Sequence, residues 1–185
     1  MRAVLDTCVI FPPVLRDVLL SVAARGVYQP LWSERILEEW ARAARRHGQE
    51  DAVRQAAAAM NAQFGGAMVA PRPGLEARLH LPDPDDIHVL ATAIAGSADI
   101  IITVNASDFP QHVLRAEGVE RRDPDGLLWE IWSHHPGPVA DAVAQVHGRA
   151  EAMSGAPVSR KALLKRAGLP RLAKALEGQK GGASA

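Results

Sequence analysis

Between Pro82 and Ala93 the chain reads PDPDDIHVLATA, so Asp83, Asp85 and Asp86 stand among prolines just before an apolar run. Aspartates ahead of a helix are ordinary caps and dipole partners, but three exceed what one cap needs. Carboxylates held close together repel, so such a cluster is either splayed into water or balanced by a cation. Three further acids lie at informative places. Asp6 ends the apolar opening MRAVLD, Asp108 follows ADIIITV, and Glu39 lies within SERILEEW. Hard oxygen ligands of this kind suit Mg²⁺ or Mn²⁺, which can activate water and stabilise a departing oxygen in phosphodiester hydrolysis. The other reactive side chains read as local. His88 is expected to be a helix-face histidine with local hydrogen bonds, and His134 and His135 a polar helix end. Cys8 reads as a packed thiol without a base partner.

The acids must be placed by the elements around them. Residues 2–5 read as a buried strand delivering Asp6, and Pro12-Pro13 introduce a helix stopped by Gly26. Residues 28–32 form a second short strand, weakened by Pro30. Ser33 caps a helix with Ile36, Leu37, Trp40 and Ala44 on one face, and an alanine-rich helix follows over 51–64. After a short strand at 68–70, Asp86 opens a helix whose Ile87, Leu90, Ala91 and Ile94 form a buried face. The β-branched run 98–104 is the clearest strand and delivers Thr103, Asn105 and Asp108 at or just past its end. An edge strand at 119–121 and a helix capped by Asp123 come next, with Trp129 and Trp132 expected to pack in the core. Strand and helix alternation predicts an α/β fold with a parallel sheet, whose ligands bind beyond the strand C-termini. Asp6, Asp86 and Asp108 fall there, and Glu39 joins them if its helix crosses above the strands.

These segments, in this order, resemble the PIN-domain nucleases, particularly bacterial VapC-type toxin ribonucleases. MRAVLDTCVI is similar to the family's opening strand and places the first acid on Asp6. SERILEEW resembles the second motif and places its acid on Glu39. DDIHVLATA is similar to the third, on Asp86 with Asp85 assisting, and IIITVNASDF to the fourth, on Asp108 with Thr103 and Asn105 in support. Asn105 stands where some relatives have another aspartate. The resemblance covers roughly residues 1–133. It implies a three-layer α/β/α fold and a Mg²⁺- or Mn²⁺-dependent endoribonuclease, with Asp6, Asp86 and Asp108 as metal ligands and Glu39 as a further catalytic acid. It also implies the toxin of a type II toxin–antitoxin pair, with RNA as substrate, a cognate antitoxin as partner and self-pairing into a homodimer.

Composition bounds the rest. A chain of 185 residues with one cysteine and no long apolar run excludes an internal disulfide and a membrane-spanning helix, and cytoplasmic location is expected. Acids and bases balance overall, yet from Arg149 onward eight Lys/Arg face only Glu151 and Glu177. The expected organisation is a nuclease domain over 1–135, a basic helical extension over 136–178 with two short helices around Gly168, and a disordered tail over 179–185. Arg160, Lys161, Lys165 and Arg166 are the candidates for nucleic-acid phosphates. The competing reading is a non-catalytic RNA- or partner-binding protein that works through these basic helices. An aspartyl-nucleophile phosphatase is disfavoured, because Cys8 stands where that chemistry has a second aspartate.

Overall fold

The structure, a computed structural model, describes residues 1–178; the tail expected to be disordered, 179–185, lies outside the described residues. The chain forms two compact units. One contains residues 1–11 and 28–122, and the other residues 12–27 and the chain from Asp123 onward.

The first unit is built on four parallel strands: β1 (Arg2–Leu5), β2 (Gln29–Leu31), β3 (Ile100–Ile102) and β4 (Glu120–Arg122), in the order β2-β1-β3-β4. The central pair is the apolar pair. Ala3, Val4, Leu5, Ile101 and Ile102 are wholly buried, as expected for strands covered on both faces. Pro30 lacks an N–H and is accommodated because β2 lies at an edge. The expected strand at 68–70 reduces to a single bridge between Trp32 and Met68. The run 98–104 yields only three residues of strand, although hydrogen bonds from Asp99 N to Arg2 O and from Thr103 N to Arg122 O extend the ladder at each end.

Helices α3 (Glu34–Arg45), α4 (Glu50–Gln63), α5 (Ile87–Ala95) and α6 (Gln111–Ala116) complete this unit. Ser33 caps α3 by accepting from Ile36 N, and the buried Ile36, Leu37, Trp40, Ala41 and Ala44 follow its helical face. A one-turn helix unforeseen in the sequence, α1 (Thr7–Ile10), starts directly at Asp6, whose carbonyl accepts from Val9 N and Ile10 N. A short 3₁₀ turn, Pro84–Asp86, leads into α5, which packs on β1 and β3. Gly96 ends α5 where a Cβ would stand 2.9 Å from Val69 Cγ2 and 3.0 Å from Leu31 Cδ1, so this close approach requires glycine.

The second unit is helical: α2 (Pro13–Ala23), α7 (Pro124–His134), α8 (Pro136–Ser154), α9 (Arg160–Arg166) and α10 (Pro170–Gly178). Packing groups α2 and α7 with the C-terminal helices, so the unit boundary does not coincide with the composition change at 136. Gly168 takes φ +77° in the turn from α9 to α10, as its position between two helices predicts. One expectation is corrected here. Trp129 is 46% exposed rather than a core residue, because Leu127, Leu128 and Ile131 occupy the buried face of α7 and Trp129 lies off it.

Asp125 holds this unit together at one point. It is 6% exposed, and its carboxylate accepts from Arg171 N at 2.8 Å and Leu172 N at 3.0 Å, satisfying first-turn N–H groups of α10 from the start of α7. Asp125→Ala removes both bonds and is expected to destabilise the fold by about 2 kcal/mol. Urea denaturation followed by circular dichroism checks this, and an unchanged midpoint would contradict it.

Candidate functional site

The register of the sheet creates the first part of the site. Leu5 of β1 pairs with Ile102 of β3, so the next residues, Asp6 and Thr103, stand side by side at the C-terminal ends of neighbouring strands. Thr103 Oγ1 donates to Asp6 Oδ2 at 2.6 Å and accepts from Asn105 N at 2.9 Å. Cys8 Sγ donates to the same Asp6 oxygen at 3.0 Å. Beyond β1 the chain goes to β2 on one side, while β3 lies on the other. The gap between β1 and β3 is thus the switch point at which parallel sheets present ligand sites.

Helix α3 brings in Glu39. Its Oε2 accepts from Thr7 Oγ1 at 3.1 Å, and its Oε1 lies 2.8 Å from His88 Nε2. Burial pushes the Glu39 carboxyl up, but the bonds from His88 and Thr7 and the charge of Arg35 outweigh it and hold the group below its ordinary value. Glu39 is therefore ionised at neutral pH and anchored at both oxygens.

The third part is a carboxylate triad. Asp83, Asp86 and Asp108 each present an oxygen within 4.8 Å of the others. Asp83 also accepts from Asp85 N at 2.9 Å, which shapes the 3₁₀ turn and points Asp86 inward. Asn105 Nδ2 donates to Asp108 Oδ2 and, at 3.4 Å, to Asp86 Oδ2, bridging two of the acids with the one amide available. Two unit charges about 4 Å apart repel by about 1 kcal/mol in bulk water and about 4 kcal/mol near a protein surface. Accordingly the Asp86 carboxyl is raised to about 6, first by burial and then by the charges of Asp6, Asp83, Asp108 and Glu39.

Residues 2–107 match the family model described as PIN domain, which is more than half of the chain. The chain belongs to the PIN-domain family. PIN domains are generally metal-dependent nucleases acting on RNA or DNA, and the four-stranded parallel sheet with its flanking helices is the fold expected of one. The match ends one residue before Asp108. Neither the curated proteins nor the solved structures contain a match to the chain.

The donor set of this PIN domain fits a hard divalent cation. The converging atoms are carboxylate oxygens, the hard donors that such a cation takes. Burial and the charge of Asp6 push the Cys8 thiol up to about 12, so it stays protonated, which agrees with its reading as a packed thiol. His88 Nε2 is occupied by Glu39.

Of the residues singled out in the sequence, Asp6, Glu39, Asp86, Asp108, Thr103 and Asn105 share this corner of the sheet, linked by the bonds above. Asp85 is exposed and offers its backbone N–H to Asp83. Asp83 caps the turn, as an aspartate ahead of a helix does, and also joins the triad. His88 is corrected: it is 2% exposed and bonds across 49 residues to Glu39, rather than locally. Neither its type nor its place on α5 announces that partner, which depends on α5 packing against α3. Of the basic candidates, Arg160 donates to Leu176 O at 3.2 Å and Lys161 pairs with Glu177 at 2.8 Å, so both already make internal contacts.

The raised Asp86 carboxyl couples cation binding to pH, because a proton held near pH 6 must leave before the oxygen can ligate. Apparent Mn²⁺ affinity is expected to be full above pH 7 and to fall about tenfold by pH 5. Titration calorimetry across that range reads this directly, and a flat profile would refute the coupling. Without the ion the sign for stability is the reverse of the usual carboxylate case. The folded carboxyl holds its proton more tightly than the unfolded one, so this group's contribution to stability declines as pH rises through about 6.

Proposed function

We propose that this PIN domain is a metal-dependent endoribonuclease that hydrolyses RNA phosphodiester bonds, and that it is the toxin of a type II toxin–antitoxin pair. The observation that carries the nuclease reading is the convergence of Asp83, Asp86 and Asp108, with Asp6 at the end of β1 close enough for its charge to raise the Asp86 carboxyl. The toxin assignment rests on the likeness of the four acid-bearing segments to VapC-type ribonucleases. That likeness also supplies the remaining partners, a cognate antitoxin and a second copy of the chain, while the single cysteine favours a cytoplasmic location. Among the described residues no helix is long and apolar enough to cross a membrane.

Each side chain has a defined task under this reading. Asp86 and Asp108 hold Mg²⁺ or Mn²⁺, and Asp6 completes the ligand set from the end of β1. The ion when bound supplies positive charge for the phosphate oxygens and acidifies a water. Thr103 fixes the Asp6 carboxylate, so one of its oxygens is committed to a hydrogen bond and the other is left for the ion or its water. Asn105 holds Asp86 and Asp108 together before the ion arrives. Glu39, ionised and held by Thr7 and His88, orients water at the rim of the triad. His88 positions Glu39 from behind.

Incubation of total bacterial RNA with the purified chain and Mg²⁺ or Mn²⁺ tests the reading. Discrete fragments are expected, lost in EDTA and in the Asp6→Asn and Asp86→Asn variants. Glu39→Gln and His88→Leu should each slow cleavage by about 10- to 100-fold while leaving the fold intact. Induced expression in a bacterial host should arrest growth for the native sequence and not for Asp86→Asn. Cleavage that survives in Asp6→Asn and Asp86→Asn would remove the site assignment.

A further inference from the structure

Helices α7 and α10 of the second unit pack side by side, and the Asp125 bonds to Arg171 N and Leu172 N fix where α10 starts. Trp129 and Trp132 from α7 and Arg171, Lys174, Ala175 and Gly178 from α10 line a cavity of about 580 Å³. Two features mark it as more than a packing gap. Trp129 is 46% exposed, an unusual condition for the largest apolar side chain. Beside these indoles, neither the Arg171 guanidinium nor the Lys174 ammonium makes an ion pair or hydrogen bond among the described residues.

An exposed indole face and two cations without a partner among the described residues, lining one cavity, ask for a ligand that is flat, carries acceptors and is anionic within the length of one residue. A nucleotide of a single strand meets all three conditions. The base stacks on Trp129, and the phosphate lies against Lys174 and Arg171. A purely apolar occupant would leave both cations without a partner.

We propose that the α7–α10 cavity is a single-stranded RNA subsite, separate from the carboxylate centre, that holds substrate outside the reacting bond. This rests on the ribonuclease reading for its biological sense. It also moves the nucleic-acid contact of the basic helices away from Arg160 and Lys161, whose side chains are engaged with Leu176 and Glu177.

Fluorescence anisotropy of a short fluorescein-labelled oligouridylate, with the full chain in EDTA so that cleavage cannot proceed, tests the subsite. Trp129→Ala is expected to weaken binding about tenfold, with Trp129→Phe recovering most of the loss. Lys174→Gln should weaken it too and lower the slope of log affinity against log salt by about one. Because Trp129 and Lys174 line an open cavity, matched circular dichroism spectra and urea midpoints separate lost contact from lost fold. Affinity unchanged in both Trp129→Ala and Lys174→Gln overturns the proposal. So does loss of a sedimenting dimer in Trp129→Ala with RNA affinity intact, which assigns the surface to a second copy of the chain. Trp129-dependent binding without any metal-dependent cleavage would sustain the subsite and remove the ribonuclease reading. Cleavage of long RNA indifferent to Trp129 would do the opposite.

Discussion

Mutual repulsion of carboxylates at the ends of β1 and β3 is the constraint around which the first unit is arranged. Asp6, Asp83, Asp108 and Glu39 all act on Asp86 there, and its own burial deprives that carboxylate of the water that would screen them. The surrounding donors are distributed to make this tolerable. Thr103 and the Cys8 thiol serve Asp6, Asn105 serves Asp86 and Asp108 together, and Thr7 and His88 serve Glu39. Asp86, half-buried and facing the charges of the other acids, responds by holding a proton up to about pH 6. A divalent cation removes the same repulsion by supplying charge, so the feature that costs stability in its absence is the one that favours the ion.

The scaffold explains how such a site stays ordered. Ala3, Val4 and Leu5 of β1 and Ile100–Ile102 of β3 are apolar and buried, and their burial fixes the register between the strands. A slip of one residue would move Asp6 away from Thr103 and turn the strand faces over. The acids therefore sit on the part of the fold least free to shift, as precise metal and substrate geometry demands. The second unit uses a buried carboxylate differently. Asp125 is surrounded by N–H donors of α10 rather than by other acids, so its charge is satisfied and serves only to fix a helix start.

The two units also contrast in what they offer a nucleic acid. The carboxylate corner attracts phosphate only through a bound cation. The α7–α10 cavity presents the exposed Trp129 indole and the cations of Arg171 and Lys174 directly.

Much of this was legible in the chain itself. Apolar β-branched runs identify β1 and β3, Ser33 and Asp123 mark helix starts by the oxygen each places before free N–H groups, and the aspartates of the PDPDD stretch announce an acidic turn ahead of a helix. Those signals are contained within a few residues of sequence, where propensity and periodicity act. Tertiary structure decided the rest. The Asp6–Thr103 bond spans 97 positions and exists because two strands pair in one register, and the Glu39–His88 bond exists because α3 meets α5. Asp83 counted locally as a cap until Asp108 arrived beside it, and Trp129 as a core residue until three neighbours on α7 took the buried face. Sequence determined which groups were available and which element carried each. Which of them came within bonding distance was left to packing, because distances between segments far apart in the chain are not encoded in the residues of either segment alone.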